Sequence, residues 1–521
     1  MEETNYTKEH IEQLYEIGYA LSSEKDFNVL IEKILTGAKQ LSNADAGTIY
    51  LLNKETQSLE FTIVQTDSLF FRIGGTKDEK INWPALPLYY DDGSPNDLNV
   101  SVVSALEDKL INIENVYKAE KFKFEGAKAF DTATGYHTKS MLVVPMKNHE
   151  NDVIGVVQLI NKTTEDDDVV GFSEDDEKLI LSMASQAAVI LTNRILIEDM
   201  EKLLSAFIKS IATAIGEKSK YTVGHINRVA EISRLIAEAV NEDTDGMYKD
   251  KSYTEDELKE IDIAAWMHDI GKITTPEYVV DKARKLETIH DRIEGVKYKF
   301  ELLKTQLEVD YLKNRISKED FESKIKELDK DFAFIEKTNV GSEFLVDESI
   351  ERINTIAGNK LLIDGKEENL LSEDEVLNLS IKKGTLTEDE RFVINNHALM
   401  SIKMLDSLPF PKKLKRVPEI AGGHHEKIVG GGYPYGLKGD EISFEARILA
   451  IADIFEALTA HDRPYKSANS LNQSMRILKF MVEDGSLDAD IVKFFVDKEL
   501  HLKYAEDNLM PDQMDEVTIE F

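Results

Sequence analysis

The sequence predicts a multidomain chain. An α+β unit, with an antiparallel sheet flanked by helices, is joined by one long helix to an all-α domain that carries a helical-hairpin insertion. Three observations predict this. Short apolar runs among residues 47–160 read as strands. From Asp175 to Ile215, apolar positions recur at helical spacing with no break signal. Beyond that, helical stretches with clear start signals lead into histidine and carboxylate residues.

Composition narrows the function. At 521 residues, 42% hydrophobic and 31% charged, the chain has the make-up of a soluble protein of two to four domains. A net charge of -35 argues against DNA, RNA polymers and membrane surfaces as partners. An anionic substrate then needs a locally basic or metal-loaded pocket. The absence of cysteine excludes disulfides, thiolate zinc sites, cysteine nucleophiles and thioether-linked chromophores. The N-terminus, Met1-Glu2-Glu3-Thr4-Asn5, lacks the basic start and apolar run of a signal peptide, and no stretch reads as approaching a membrane span. A cytoplasmic location is the expectation.

Taken in order, residues 8–40 show helical spacing through Ile11, Leu14, Ile17, Leu21, Leu30, Ile34 and Ala38. Strands are predicted at residues 47–52, 59–64, 140–146 and 153–160. Asn161-Lys162 reads as the close of a hairpin, and Ser173 with Asp176 as a capping box at a helix start. The run 175–215 is too long for one globular helix with a single buried face, and a signalling helix shared across a dimer explains it better.

His225 then opens a helix over residues 226–240. The capping box Thr254-Glu255-Asp256-Glu257 starts another, whose apolar run Ala264-Ala265-Trp266-Met267 ends in His268-Asp269 and is followed by Gly271-Lys272. Burying an imidazole beside a carboxylate is costly unless a cation satisfies both, and the pair suits a divalent first-row metal. Lys272, about one turn on, can reach the same pocket and contact a phosphate oxygen.

Residues 287–384 change character. Ile289, Ile293, Val296, Phe300, Leu303 and Leu307 alternate steps of four and three, and Phe321, Ile325, Leu328, Phe332 and Ile335 do so after a fresh cap at Ser317. This predicts a helical hairpin that packs or binds a protein partner, with His290 on its first helix as a structural residue and residues 340–384 as a polar return connection.

Thr387-Glu388-Asp389-Glu390 starts a helix carrying His397. The stretch from Gly422 to Pro434 holds adjacent His424 and His425, then Glu426, placed to orient a ligating histidine, and the glycines 430–432. Adjacent histidines serve one ion only if the backbone turns, and more easily face two. Asp453 follows another apolar run, and Arg463-Pro464-Tyr465-Lys466 adds two cations. Each candidate ligand reads as lying at a helix end or in a glycine-flanked turn.

Two resemblances follow. The strand holding Pro145, the acidic hairpin after it and Gly155-Val156-Val157-Gln158-Leu159-Ile160-Asn161-Lys162 resemble a GAF sensory domain over roughly residues 10–195. The Asn-Lys…Phe-x-x-x-Asp-Glu pattern of Asn161, Lys162, Phe172, Asp176 and Glu177 is similar to that of cyclic-nucleotide-binding members. In that group the pattern supports the pocket fold without being the contact set, and the resemblance implies a small-molecule or cyclic-nucleotide ligand.

The second set, His225, His268-Asp269-Ile270-Gly271-Lys272, His397, His424-His425-Glu426, Gly432-Tyr433-Pro434, Asp453 and Arg463-Pro464-Tyr465-Lys466, resembles the HD-GYP family of HD phosphohydrolases. The resemblance implies hydrolysis of cyclic di-GMP to pGpG or on to GMP, with two divalent metal ions, iron or manganese. It implies His225, His268, Asp269 and Asp453 around one ion, and His397, His424 and His425 around the second, with Asp269 bridging. His268, Asp269 and Lys272 are then the catalytic residues, and Lys272, Gly432, Tyr433, Pro434, Arg463 and Lys466 the substrate contacts.

Three departures stand out: Tyr221 occupies the position where three-metal members place a glutamate, with Glu217 one turn further back; Val429 replaces an aspartate; and the hairpin insertion interrupts the match, as a gate on the substrate channel or a site for another partner. The domain reading is GAF over 1–195, connecting helix over 175–215, HD-GYP over 205–286 and 385–521, and insertion over 287–384. A homodimer through the GAF and connecting helices is expected. Two alternatives stay open: a non-catalytic cyclic-dinucleotide effector, and the same hydrolysis on cyclic GMP-AMP.

Overall fold

In a computed structural model the chain divides into two compact units, Met1–Leu203 and Leu204–Phe521. The structure describes residues 18–19, 24, 26–77, 81–216, 222–341, 344–461 and 468–519. The predicted helical stretch before residue 18 therefore lies outside the described residues.

The first unit is built on a sheet of β1 (Ala44–Asn53), β2 (Ser58–Thr66), β3 (Phe71–Gly74), β4 (Leu86–Pro87), β5 (Ile111–Ile113), β6 (Met141–Lys147), β7 (Val153–Thr163) and β8 (Val169–Val170). The order is β3-β2-β1-β7-β6-β5, with β4 against β2 and β8 against β7. Every pairing is antiparallel. Neighbouring residues point to opposite faces of a strand, so the sheet has a core on each side. Ile49, Leu142 and Val157 join the helix Phe27–Ser42 and the start of the helix Glu174–Gly216 in one core. Tyr50, Val143 and Val156 face the other, with Val100, Val102 and Phe124.

Asn161 and Lys162 have a structural task here. The Asn161 side chain accepts the N–H groups of Lys139 and Ser140 and donates to the His137 carbonyl. Lys162 pairs with Asp176, which forms the predicted capping box with Ser173. Phe172 is buried beside them. The motif thus ties β7 to the start of the long helix.

That helix is continuous from Glu174 to Gly216, 43 residues, or about 65 Å at 1.5 Å per residue. Its segment Glu174–Ile215 is, by length and composition, apolar enough to cross a membrane, which corrects the reading that no stretch approaches a span. The apolarity has a packing cause: Ile180, Met183, Ala184, Ala187, Ala188 and Leu191 fill the sheet's core. A second set, Leu196, Met200, Leu203 and Phe207, is exposed.

The second unit gathers helices Thr222–Glu242, Glu255–Met267, Glu388–Asp406, Val417–Gly422, Phe444–Thr459, Leu471–Glu483, Ala489–Asp497 and Leu500–Asn508 around one core. The insertion has its own core. Its predicted hairpin is present as Ile293–Leu312 and Lys318–Asn339. Residues 340–384, expected as a connection, instead hold helices Asp347–Ala357 and Glu373–Leu379. Between them runs the antiparallel pair β9 (Lys360–Ile363) and β10 (Lys366–Asn369). Leu361, Leu370, Leu371 and Leu379 pack them against the hairpin. The first hairpin helix begins only at Ile293, so Ile289 and His290 precede it and are exposed.

Lys282 locks the insertion to the rest of the unit. Its side chain is fully buried, and its ammonium donates to both Glu390 oxygens at 2.8 Å and to Asn378 at 2.9 Å. Glu390 belongs to the helix that carries His397. Lys282→Met would remove the ammonium from the buried Asn378 amide and from the half-buried Glu390 carboxylate. It is expected to lower the stability of this unit by about 3 kcal/mol in denaturant unfolding.

Candidate metal centre

Five backbone segments supply the predicted ligands. His225 lies on the first turn of Thr222–Glu242. The Thr254–Glu257 capping box starts Glu255–Met267, which ends at His268. Asp269 leaves the α conformation, with φ -97° and ψ 8°, and a 3-10 turn follows over Ile270–Thr274. His397 sits in mid-helix in Glu388–Asp406, and Asp453 in mid-helix in Phe444–Thr459, so the expectation that every ligand ends a helix or sits in a turn fails for these two. His424 and His425 follow Val417–Gly422 in a turn.

All seven side chains converge. His225 Nε2 lies 3.3 Å from Asp453 Oδ1, and His268 Nε2 lies 3.3 Å from Asp269 Oδ2. His397 Nε2 lies 3.2 Å from the other oxygen, Asp269 Oδ1. Asp269 therefore presents one oxygen to each half of the cluster. Donor atoms lie within 4.8 Å of one another in three overlapping groups: His225, His268 and Asp453; His268, Asp269 and His424; His397, His424 and His425. The two adjacent histidines fall in one group, with ring centroids 4.0 Å apart, because the backbone turns there.

The hydrogen bonds define which atoms are left for a ligand. Nδ1 of His268, His397 and His424 meets the carbonyl three residues back, at Ala265, Ile394 and Ala421, at 2.7, 2.5 and 2.6 Å. A neutral ring donating from Nδ1 keeps a bare lone pair on Nε2. The Nε2 atoms of these three rings and Oδ1 of Asp269 are buried and make no hydrogen bond. Burial, reinforced by neighbouring imidazoles, holds His424 well below the ordinary histidine range. Burial, with His397 beside it, pushes His425 down to about 3. Burial would also lower His225, but Asp453 and Glu456 outweigh it and lift it to about 9. Despite its burial, Asp269 is held well below the carboxylate range by Lys272, His268 and His397. Buried imidazole nitrogens and carboxylate oxygens crowded together, three of the nitrogens without a hydrogen bond, fit divalent cations. The cluster can bind metal ions.

The surroundings position these groups. A Cβ on Gly271 would stand 2.0 Å from the His397 carbonyl oxygen, so only glycine lets the Asp269 turn reach that helix. Ser401 bridges the same contact, donating to the His268 carbonyl and accepting from Gly271 N–H. Lys272 pairs with Asp269 and is partly exposed. Tyr433 packs on His425, ring centroids 4.6 Å apart, and Gly432 lies too close to residues 425–427 for a side chain.

Glu426 was expected to orient a histidine. Instead its carboxylate accepts the N–H groups of Tyr435, Gly436 and Leu437, fixing the glycine loop. His290 belongs to none of the donor groups. Arg463, Lys466, Glu217 and Tyr221 lie outside the described residues. Sequence reasoning missed Ser401, Arg228 and Glu456. Ser401 sits one turn after His397 and Glu456 three residues after Asp453, spacings that share a helix face.

The first unit contains a separate cavity of about 520 Å3, lined by Phe61, Trp83, Phe130 and Tyr136 among others. Gln65 also lines it. Its carbonyl accepts from Thr36, while its buried amide nitrogen has no hydrogen-bond partner.

A family model described as GAF domain matches residues 26–191, and models described as HD domain match residues 222–332 and 373–491. This chain carries a GAF domain followed by HD domain segments. His225, His268 and Asp269 fall in the first HD match, and the other four in the second. A 3'3'-cGAMP-specific phosphodiesterase of Vibrio cholerae is 40% identical over 127 residues, 24% of this chain and 28% of that protein. A probable cyclic di-GMP phosphodiesterase of the same organism is 36% identical over 141 residues, 23% of this chain and 32% of that protein. The chain thus matches less than a third of the length of these curated relatives. Among solved structures, the GAF domain from an Acinetobacter phosphoenolpyruvate-protein phosphotransferase is 18% identical. That likeness covers 35% of this chain and 92% of that one, with a TM-score of 0.27.

Proposed function

We propose that the HD unit is a metal-dependent phosphodiesterase that hydrolyses cyclic di-GMP to pGpG or on to GMP, under control of the GAF domain. The observation that carries this reading is the convergence of seven donor side chains, among which the Nε2 atoms of His268, His397 and His424 are buried and make no hydrogen bond. His225, His268, Asp269 and Asp453 would hold one divalent ion, and His397, His424 and His425 the second, with Asp269 shared. Iron or manganese suits this nitrogen and oxygen set. When bound, such ions supply the Lewis acidity that makes water a nucleophile at neutral pH.

The chain's own groups do the rest. Lys272, poised on Asp269 and partly open to solvent, offers N–H donors to a non-bridging phosphate oxygen. Arg463 and Lys466 serve the same charge, and the Gly432–Tyr433–Pro434 loop, braced by Glu426, lines the substrate side. Imidazoles outnumber carboxylates in the cluster, five to two, which lets a chain of net charge -35 accept an anion.

The 3'3'-cGAMP-specific relative favours a second substrate, cyclic GMP-AMP, for the same site. Regulation would run from a small molecule or cyclic nucleotide in the GAF cavity through the long helix. The exposed residues Leu196, Met200, Leu203 and Phe207, spaced by four, three and four, suit a homodimer seam. The test is turnover of cyclic di-GMP, cyclic GMP-AMP and cyclic GMP by the full chain, loaded anaerobically with iron(II) or manganese(II). Hydrolysis of a cyclic dinucleotide is expected. Tight binding of one without turnover would leave a non-catalytic effector.

A further inference from the structure

We infer that the two cation positions are unequal, and that Glu456 makes the one beside His225 the tighter of the two. This rests on the two-cation reading above.

The asymmetry lies behind the ligands. Three histidines, His268, His397 and His424, turn Nδ1 to peptide carbonyls of their own helices or turns. His225 differs: its Nδ1 meets the Glu456 carboxylate, whose side chain is wholly buried. The other Glu456 oxygen accepts from Arg228 Nε and Nη2, both at 2.7 Å. Arg228 lies three residues after His225 on its helix, and Glu456 three residues after Asp453 on the helix Phe444–Thr459. Two helices thus each give one ligand and one supporting residue, closed into a ring of contacts.

A carboxylate behind an imidazole makes the opposite nitrogen a stronger donor and fixes the ring's orientation. The guanidinium neutralises Glu456, so the arrangement adds donor strength without placing a bare anion in the interior. Charge points the same way. The His225 group includes Asp453, and the Asp269 oxygen nearer His268, partly offset by Lys272, lies 3.8 Å from His225 Nε2. The other group has three imidazoles and no carboxylate of its own, with the second Asp269 oxygen 3.2 Å from His397 Nε2. A hard divalent ion such as manganese(II) favours the side richer in carboxylate. Glu456 touches no donor atom facing the cluster, so it is a positioning residue.

The experiment is a manganese(II) titration of the chelator-stripped full chain, with free ion read by electron paramagnetic resonance. Two binding steps are expected, at least about 10-fold apart. Glu456→Gln should weaken the tighter step by about 10–100-fold, the range found for removal of such supports, and spare the weaker one. Glu456→Asp should restore part of the loss. His425→Ala should remove the weaker step alone, which assigns the steps even if Glu456→Gln does not fold. Two equal steps, or a Glu456→Gln effect on the weaker step, would overturn the inference and leave the two-cation reading intact. No manganese bound at all would overturn that reading itself.

Discussion

Replacing His268 and Asp269 together with alanine is expected to abolish the turnover proposed above for the metal-loaded chain, a loss of at least about 10³-fold on the scale of transition-state charge stabilisation. The fold should survive. The α-helix that leads to the pair already ends at Met267, and the residues that bury it, Leu258, Ile261, Ala264 and Ala265, are untouched. The variant removes an imidazole nitrogen and a carboxylate oxygen that make no hydrogen bond in the interior, so it relieves desolvation as it opens a void. Lys272 loses its contact with Asp269, and its ammonium is partly open to water. Circular dichroism separates the two effects: a wild-type spectrum with no turnover is the expected result. A wild-type spectrum with wild-type turnover would remove the cluster from the chemistry.

The pattern that exposed this cluster in the sequence was local, and so was what it could reveal. Strands β1, β2, β6 and β7 show as apolar runs because each lies between two cores. The helix starts at Thr254, Ser317 and Thr387 show because capping is written in neighbouring residues. The convergence of His225 with Asp453, 228 residues apart, has no local signature and came only through family resemblance. What supports the ligands was hidden for the same reason: Ser401 binds the His268 carbonyl across 133 residues, and Glu456 meets His225 across 231.

Other misses had a readable cause. Asp364-Gly365, both with positive φ, forms the two-residue turn between β9 and β10, and that dipeptide between two short runs is a hairpin signal. The signal is weak because the flanking residues are mostly polar. Glu426 was misassigned because it adjoins two ligands in sequence, while its carboxylate turns to three backbone N–H groups of the following loop.

Gly271→Ala is expected to damage stability and activity together, although alanine adds a single methyl group. Gly271 lies against the helix that carries His397: a Cβ there would stand 2.0 Å from the His397 carbonyl oxygen and 2.6 Å from Ser401 N. Both are backbone atoms of a helix capped at Thr387 and tied to Lys282 through Glu390, so neither can yield without moving the helix. The relief available is separation of the Asp269 turn from His397, which pulls Asp269 Oδ1 off the second half of the cluster. Overpacking of this kind costs about 1–3 kcal/mol. A displacement near 1 Å in a reacting constellation costs about 10²-fold in rate. Gly295→Ala is the control, because a Cβ there meets nothing within 4 Å and lies in the helix Ile293–Leu312. That change should leave turnover unaltered and stabilise the chain by up to about 1 kcal/mol. If Gly271→Ala matched Gly295→Ala in turnover, the close approach of turn and helix would not be what holds Asp269 between the two halves.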